Sequence, residues 1–348
     1  MRLGRWRIIP GLLACLLLHD VSVLIAQETA PSGDEGSLLP PASGDQVILK
    51  PKGAARPKIL QGAIGDIKGH SVVLRQNSGQ VEVIILRDVQ RLEFAKSEAY
   101  ENGLRAIQQR KWKDALKALA EAQREERRPW VRREILSSMA ECYRARREFA
   151  ECLKAVEQIL AEDPSSRHVL CLPLVWDERL PDNQKYVADV SQLRSKSLAE
   201  QFTAASALLS SEEHRRQATA TIQKVRKEGD LTMSQLAELQ LWRLRLIEPE
   251  KLAVLEVEEW QRRLKELDRK VRSPGEFLAG RALMQLHEND RAIVSLLWMP
   301  LMEPWDPPTT AASLTDALTL FDQSGRSAEG QRLIPELERL QSAIAVPQ

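Results

Sequence analysis

Five stretches of this chain carry a small residue, a second twelve positions on and an apolar residue four positions further still. The triplets are Gly103, Ala115 and Leu119; Ala140, Cys152 and Val156; Ser206, Ala218 and Ile222; Gly280, Ala292 and Leu296; and, in a poorer version, Leu318, Gly330 and Ile334. Two helices of a hairpin approach closely only where the crossing side chains are small, and an apolar residue one turn later fills the space beside the contact. One hairpin cannot bury its own apolar face, so this spacing requires neighbours that stack. From Ser97 onward the periodicity is helical, with breaks near Arg127 to Pro129, Asp163 to Ser166, Gly229-Asp230, Pro249, Ser273 to Gly275 and Pro304 to Pro308. They predict helices of roughly 12 to 20 residues. The expected units are a well-formed hairpin pair over 97–165, an irregular connection over 166–190 and degenerate repeats over 191–345.

Two units end in a proline at the same offset, Pro164 lying 24 residues after Ala140 and Pro304 lying 24 after Gly280. With Tyr143 in the first helix and Trp112 or Phe149 opening the second, these residues resemble the tetratricopeptide repeat family. Its unit is a helix-turn-helix of about 34 residues with small residues at the crossing and a terminal proline. Arg132 to Pro164 matches best, with Cys152 where alanine is usual; Ser97 to Arg128 lacks the proline, and Pro274 to Pro304 has Asn289 in place of an aromatic. The resemblance implies a superhelical array whose groove binds peptides or proteins. In the connection, Pro173, Pro181 and Asn183 forbid one continuous helix, and Leu174 and Trp176 are expected to pack on the array. The four-and-three spacing of Ala253, Val257, Trp260, Leu264, Leu267 and Val271 spans barely three heptads and is read as an internal packing face.

Before the helices the texture differs. Residues 46–95 hold short Val-, Ile- and Leu-rich runs separated by Gly69-His70 and by Asn77-Ser78-Gly79, turn chemistry that predicts four or five antiparallel strands. The pattern resembles small SH3-like or Sm-like barrels, and the module is read as a packing or docking element. The fold class is therefore mainly α, a tetratricopeptide-like solenoid preceded by a small β module. Residues 27–45 are rich in Pro, Gly, Ser and acid and read as a flexible linker. At the start, Arg2, Arg5 and Arg7 precede an apolar run from Ile8 to Leu18, the order of an export signal over 1–26. Residues 8–26 could instead remain as a membrane anchor, and "LLAC" ending at Cys15 could accept a lipid.

No catalytic constellation stands out. With 50 Lys and Arg against 49 Asp and Glu, the charge balance argues against a uniformly basic nucleic-acid binder while leaving room for local clusters. Cys142, Cys152 and Cys171 form no CxxC; an odd count leaves room for one disulfide, and the reading preferred is small buried thiols. "HEND" at His287 lacks the second histidine of a zinc-protease motif and reads as a turn, and "GAIGDIKG" (62–69) lacks both phosphate-loop and dinucleotide spacings and reads as a bent strand. No catalytic residue, metal ligand or cofactor is assigned. The one uneven charge feature is basic: Arg127, Arg128, Arg132, Arg133, Arg146 and Arg147, which would form an anion-attracting patch if the loops lay on one edge. The expected function is a non-enzymatic scaffold exported to the periplasm or cell envelope that binds an unidentified protein through its groove, with membrane association through the N-terminal segment and no nucleic-acid partner. The alternative is a self-associating structural component.

Overall fold

In the computed structural model, which describes residues 44–50, 56–248, 252–303 and 306–345, the Val- and Ile-rich stretches after Gly44 form five antiparallel strands. They are β1 (Asp45–Leu49), β2 (Ile59–Lys68), β3 (Ser71–Gln76), β4 (Val81–Ile85) and β5 (Val89–Glu93), in the order β4-β3-β2-β1-β5. The sheet opens at Asp45, whose buried carboxylate accepts from the Ile64 N–H at 3.0 Å. The glycine-rich 62–69 stretch is β2, with an irregularity between Ile64 and Asp66 that bends the strand.

Helices follow to the end of the described chain: α1 (Glu98–Gln108), α2 (Trp112–Glu125), α3 (Pro129–Ala145), α4 (Phe149–Glu162), α5 (Leu198–Leu208), α6 (Arg215–Glu228), α7 (Leu231–Ile247), α8 (Val254–Leu264), α9 (Arg269–Gln285), α10 (Asn289–Met302), α11 (Pro307–Gln323), α12 (Ser327–Gly330) and α13 (Ile334–Ala345). The fold is mainly α with a small β module. The small-residue register is met at the crossings. A Cβ on Gly103 would lie 2.7 Å from Leu119 Cδ2, and one on Gly280 would lie 2.7 Å from Leu296 Cγ, so only glycine admits these leucines as they sit. Ala115, Ala140, Cys152, Ser206, Ala218 and Ala292 are all fully buried. Pro164 falls two residues beyond α4, in the place of a helix stop. Pro304, Pro249 and the segments expected to be export signal, anchor or lipid site (1–26, with Cys15) and most of the linker lie outside the described residues.

The repeats also share a turn. Arg110, Arg147, His287 and Gly325, each seven residues after the crossing position, have φ of 58°, 63°, 61° and 70°. In each, the left-handed residue's N–H donates to the carbonyl three residues back, and the next N–H donates to the carbonyl five back, onto Ala106, Tyr143, Leu283 and Phe321. This is the paired-bond helix ending that usually employs glycine. Four units thus end their first helix identically, while the α5–α6 connection is built differently. His287 sits in the turn expected for it.

One expectation changes. Residues 273–275 do not break a helix: α9 runs through Pro274. Here packing prevails over the missing proline donor, because α9 is clamped against α8 at Gly275, where a Cβ would lie 2.4 Å from Leu264 Cδ2. The hairpin of α7 and α8 has no small crossing. Trp242 and Trp260 stack between the two helices, centroids 4.9 Å apart and planes 1° from parallel. Val257, Trp260, Leu264, Leu267 and Val271 are buried in the common core, so the heptad-like stripe is an internal face.

Sheet and helices share a core. Val47, Leu60, Val72 and Leu74 bury against Tyr100, Leu119, Trp130 and Ile135. The bend in β2 is the dock: Trp130 Nε1 donates to Ile64 O at 3.2 Å, and Arg133 Nη2 donates to Ile67 O at 2.7 Å while pairing with Asp66 at 2.7 Å.

Candidate functional site

The six arginines expected to form one basic patch do not meet. Arg127, Arg128, Arg132 and Arg133 lie around the start of α3, whereas Arg146 and Arg147 lie past its end, a 17-residue helix or about 25 Å away. Arg133 is buried in the sheet dock. Arg128 is held by Glu126 and by Ala95 O, Arg146 by Glu148, and Arg147 donates to Ile344 O. Arg127 and Arg132 remain exposed. Alternation of charge with acids and aromatics, invisible as geometry in one dimension, disperses the cluster.

The irregular connection is more than a link. Residues 171–177, Cys-Leu-Pro-Leu-Val-Trp-Asp, are all buried, a non-helical strand of chain laid along the first helices of successive hairpins. Leu174 and Trp176 pack in the main core as expected. The backbone is satisfied by side chains rather than by secondary structure. Val175 N–H donates to Ser206 Oγ of α5 at 2.9 Å, and Val175 O accepts from Gln240 at 3.0 Å and Arg243 at 2.8 Å, both on α7. Ser206, singled out for being small, is therefore also a backbone ligand.

Beyond Trp176 the chain turns polar, and Asp177, Glu178 and Arg179 tie it to three helices. Arg243 of α7, fully buried, pairs with Glu178; Arg281 of α9 reaches Asp177 at 3.0 Å; and Arg179 bridges Asp177 and Asp316 of α11, each at 2.7 Å. Burial alone would raise the Asp177 carboxyl, but the Arg179 hydrogen bonds and the Arg281 charge hold it below its usual range. Burial likewise lowers Arg243, with Glu178 opposing. At these positions the chain's own extended segment lies against α5 and α7. Of the residues that hold it, only Ser206 was singled out in the sequence, and for its size; Gln240, Arg243, Arg281 and Asp316 were not. A signal existed, in that an apolar run with a central proline is followed at once by "DER".

A cleft of about 1030 Å³ remains open between the sheet, α3, α7 and α9. Its wall carries charges of both signs, among them Arg87, Glu134, Arg167, His168, Glu266 and Lys270. Glu134 is bound by Arg167 at 2.7 Å and His168 at 3.1 Å. Burial would raise its carboxyl, yet His168 and Arg167 bring it down to about 2. Burial would lower His168, yet its bonds with Cys171 and Glu134 push it up to about 9. The three described cysteines are free and buried, and burial pushes the Cys142 and Cys152 thiols up to about 12, far from a reactive thiolate. Among the described residues no group of three or more His, Cys, Asp or Glu side chains is placed to hold a metal ion, and no helix is long and apolar enough to cross a membrane. No family model, no curated protein and no solved structure matches this chain.

Proposed function

We propose that the chain is a non-enzymatic, tetratricopeptide-like scaffold of the cell envelope, which binds an extended segment of a partner protein. The observation that supports this reading is the segment 171–179: the first helices of this array hold an extended peptide through Ser206, Gln240, Arg243 and Arg281. With those helices engaged by the chain's own segment, the partner enters the neighbouring cleft, whose mixed charges select a segment of complementary pattern. Export through the N-terminal segment belongs to the same reading.

The test uses the full chain, immobilised and exposed to envelope extract, beside a variant with Ser138→Trp, a half-buried α3 residue on the cleft wall. One protein retained by the parent and lost by the variant is the expected result. No reproducible protein, or equal retention by both, counts against the cleft. A second reading, self-association, is favoured by β4, an edge strand with Val81, Val83 and Ile85 exposed by 54%, 66% and 47%. Light scattering separates them: a monomer at micromolar concentration rejects assembly as the main role.

A further inference from the structure

A second cavity, of about 400 Å³, lies where the turns of the first two hairpins meet the start of α11 and the end of α13. Its apolar wall includes Trp112, Phe149, Leu174, Tyr186, Leu340 and Ile344. Trp112 and Phe149 hold one repeat position, and Arg110 and Arg147 another, so two successive hairpins deliver the same pair of an aromatic and a left-handed turn arginine to one place.

The charges are uneven. Arg110, Arg144, Arg147, Lys185 and Arg339 line the cavity against Glu141 and Asp306. Lys185 and Arg339 are engaged by Asp182 and Glu336. Arg110 and Arg144 form neither an ion pair nor a side-chain hydrogen bond among the described residues, and Arg147 meets only the Ile344 carbonyl. Burial pushes the Asp306 carboxyl up while the Arg144 charge opposes that shift, and the negative groups around Arg144, Asp306 among them, in turn raise its guanidinium against burial. Independently, Thr310 is 1% exposed, lines the same cavity and has a hydroxyl with no hydrogen-bond partner among the described residues. An orphaned buried hydroxyl beside guanidinium groups that make no direct ion pair leaves polar capacity on a largely apolar wall, which a bound anionic group would satisfy.

We propose that this cavity binds a single-chain anionic amphiphile, its carboxylate on the Arg144 side and its chain against Trp112, Phe149 and Leu340. At about 30 Å³ per water-sized group, the volume holds roughly a dozen heavy atoms, a carboxylate on a chain of about ten carbons. The cavity shares Glu141 and Arg144 with the wall of the partner cleft, but the amphiphile site does not rest on the cleft's binding role.

Calorimetric titration of the full chain with sodium decanoate, below its micelle concentration, tests this. Decanoate is expected to bind at one site, with decanol and acetate at least about tenfold weaker and decyltrimethylammonium giving no saturable signal. Arg144→Gln should weaken decanoate roughly tenfold, with circular dichroism and the melting temperature read alongside because Asp306 and Glu141 face this arginine. Arg110→Gln, at an exposed turn, repeats the charge test should Arg144→Gln fail to fold, with a loss of about threefold. Decanol binding as tightly as decanoate, acetate competing as well as decanoate, or both arginine variants binding unchanged would each overturn the proposal.

Discussion

At the scale of single residues, Cys152 shows how a chemically suggestive side chain can serve as a small one. It is fully buried at the α3–α4 crossing, and its Sγ donates only a weak 3.3 Å bond to Cys171 O. Cys152→Ala should leave the urea midpoint nearly unchanged, whereas Cys152→Leu should overpack the crossing and cost about 1–3 kcal/mol. His168 and Glu134 carry a pH signature instead. The raised His168 contributes stability that is fully present below its ordinary value of 6.5 and is lost as pH rises through about 9. The lowered Glu134 contributes stability present above 4.5 and lost as pH falls through about 2. The melting-temperature gap between the parent and His168→Gln should therefore be widest between pH 4.5 and 6.5 and should narrow towards pH 9. A gap independent of pH would show that His168 acts through packing alone.

At the scale of elements, the hairpin turn is the repeated part. Three of four identical endings put a side chain where glycine is favoured, and the His287 side chain is exposed. His287→Gly should stabilise by about 0.5–1 kcal/mol, and Gly325→Ala, at φ of 70°, should cost about 1 kcal/mol or more. Equilibrium denaturation of the two variants checks both signs. The spacing of small residues was legible in the chain because a helical crossing is a local, periodic demand. The turn conformation was less so: Arg110, Arg147 and His287 do not advertise a positive φ as Gly325 does. The α9 boundary was misplaced for the complementary reason. Pro274 signals a break locally, and only the contact of Gly275 with Leu264 shows why the helix continues.

At the scale of the whole molecule, residues 171–179 bind α5, α7, α9 and α11 together, across separations of up to 137 residues. Arg243 is the central tie, touching Val175 O, Ser206 O, Ser210 and Glu178. Arg243→Ala would strand a buried carbonyl and a carboxylate and should cost about 3–5 kcal/mol, read as a lowered urea midpoint with loss of a single cooperative transition. Full stability in that variant would mean that apolar contacts of Leu174 and Trp176 alone seat the segment.

The sequence alone determined the mainly α class, the strand-rich start, the small-residue register of the four better units and the burial of Cys142, Cys152 and Cys171. All of these follow from periodicity, turn residues and side-chain size, which act between neighbours in the chain. Only the tertiary structure decided that residues 171–177 lie buried against α5 and α7, that Arg133 leaves the basic cluster for the sheet, and that Arg110, Arg144 and Thr310 meet on one cavity. These depend on which distant surfaces close on one another, and a buried charge or an orphaned hydroxyl is defined by those partners rather than by its neighbours in sequence.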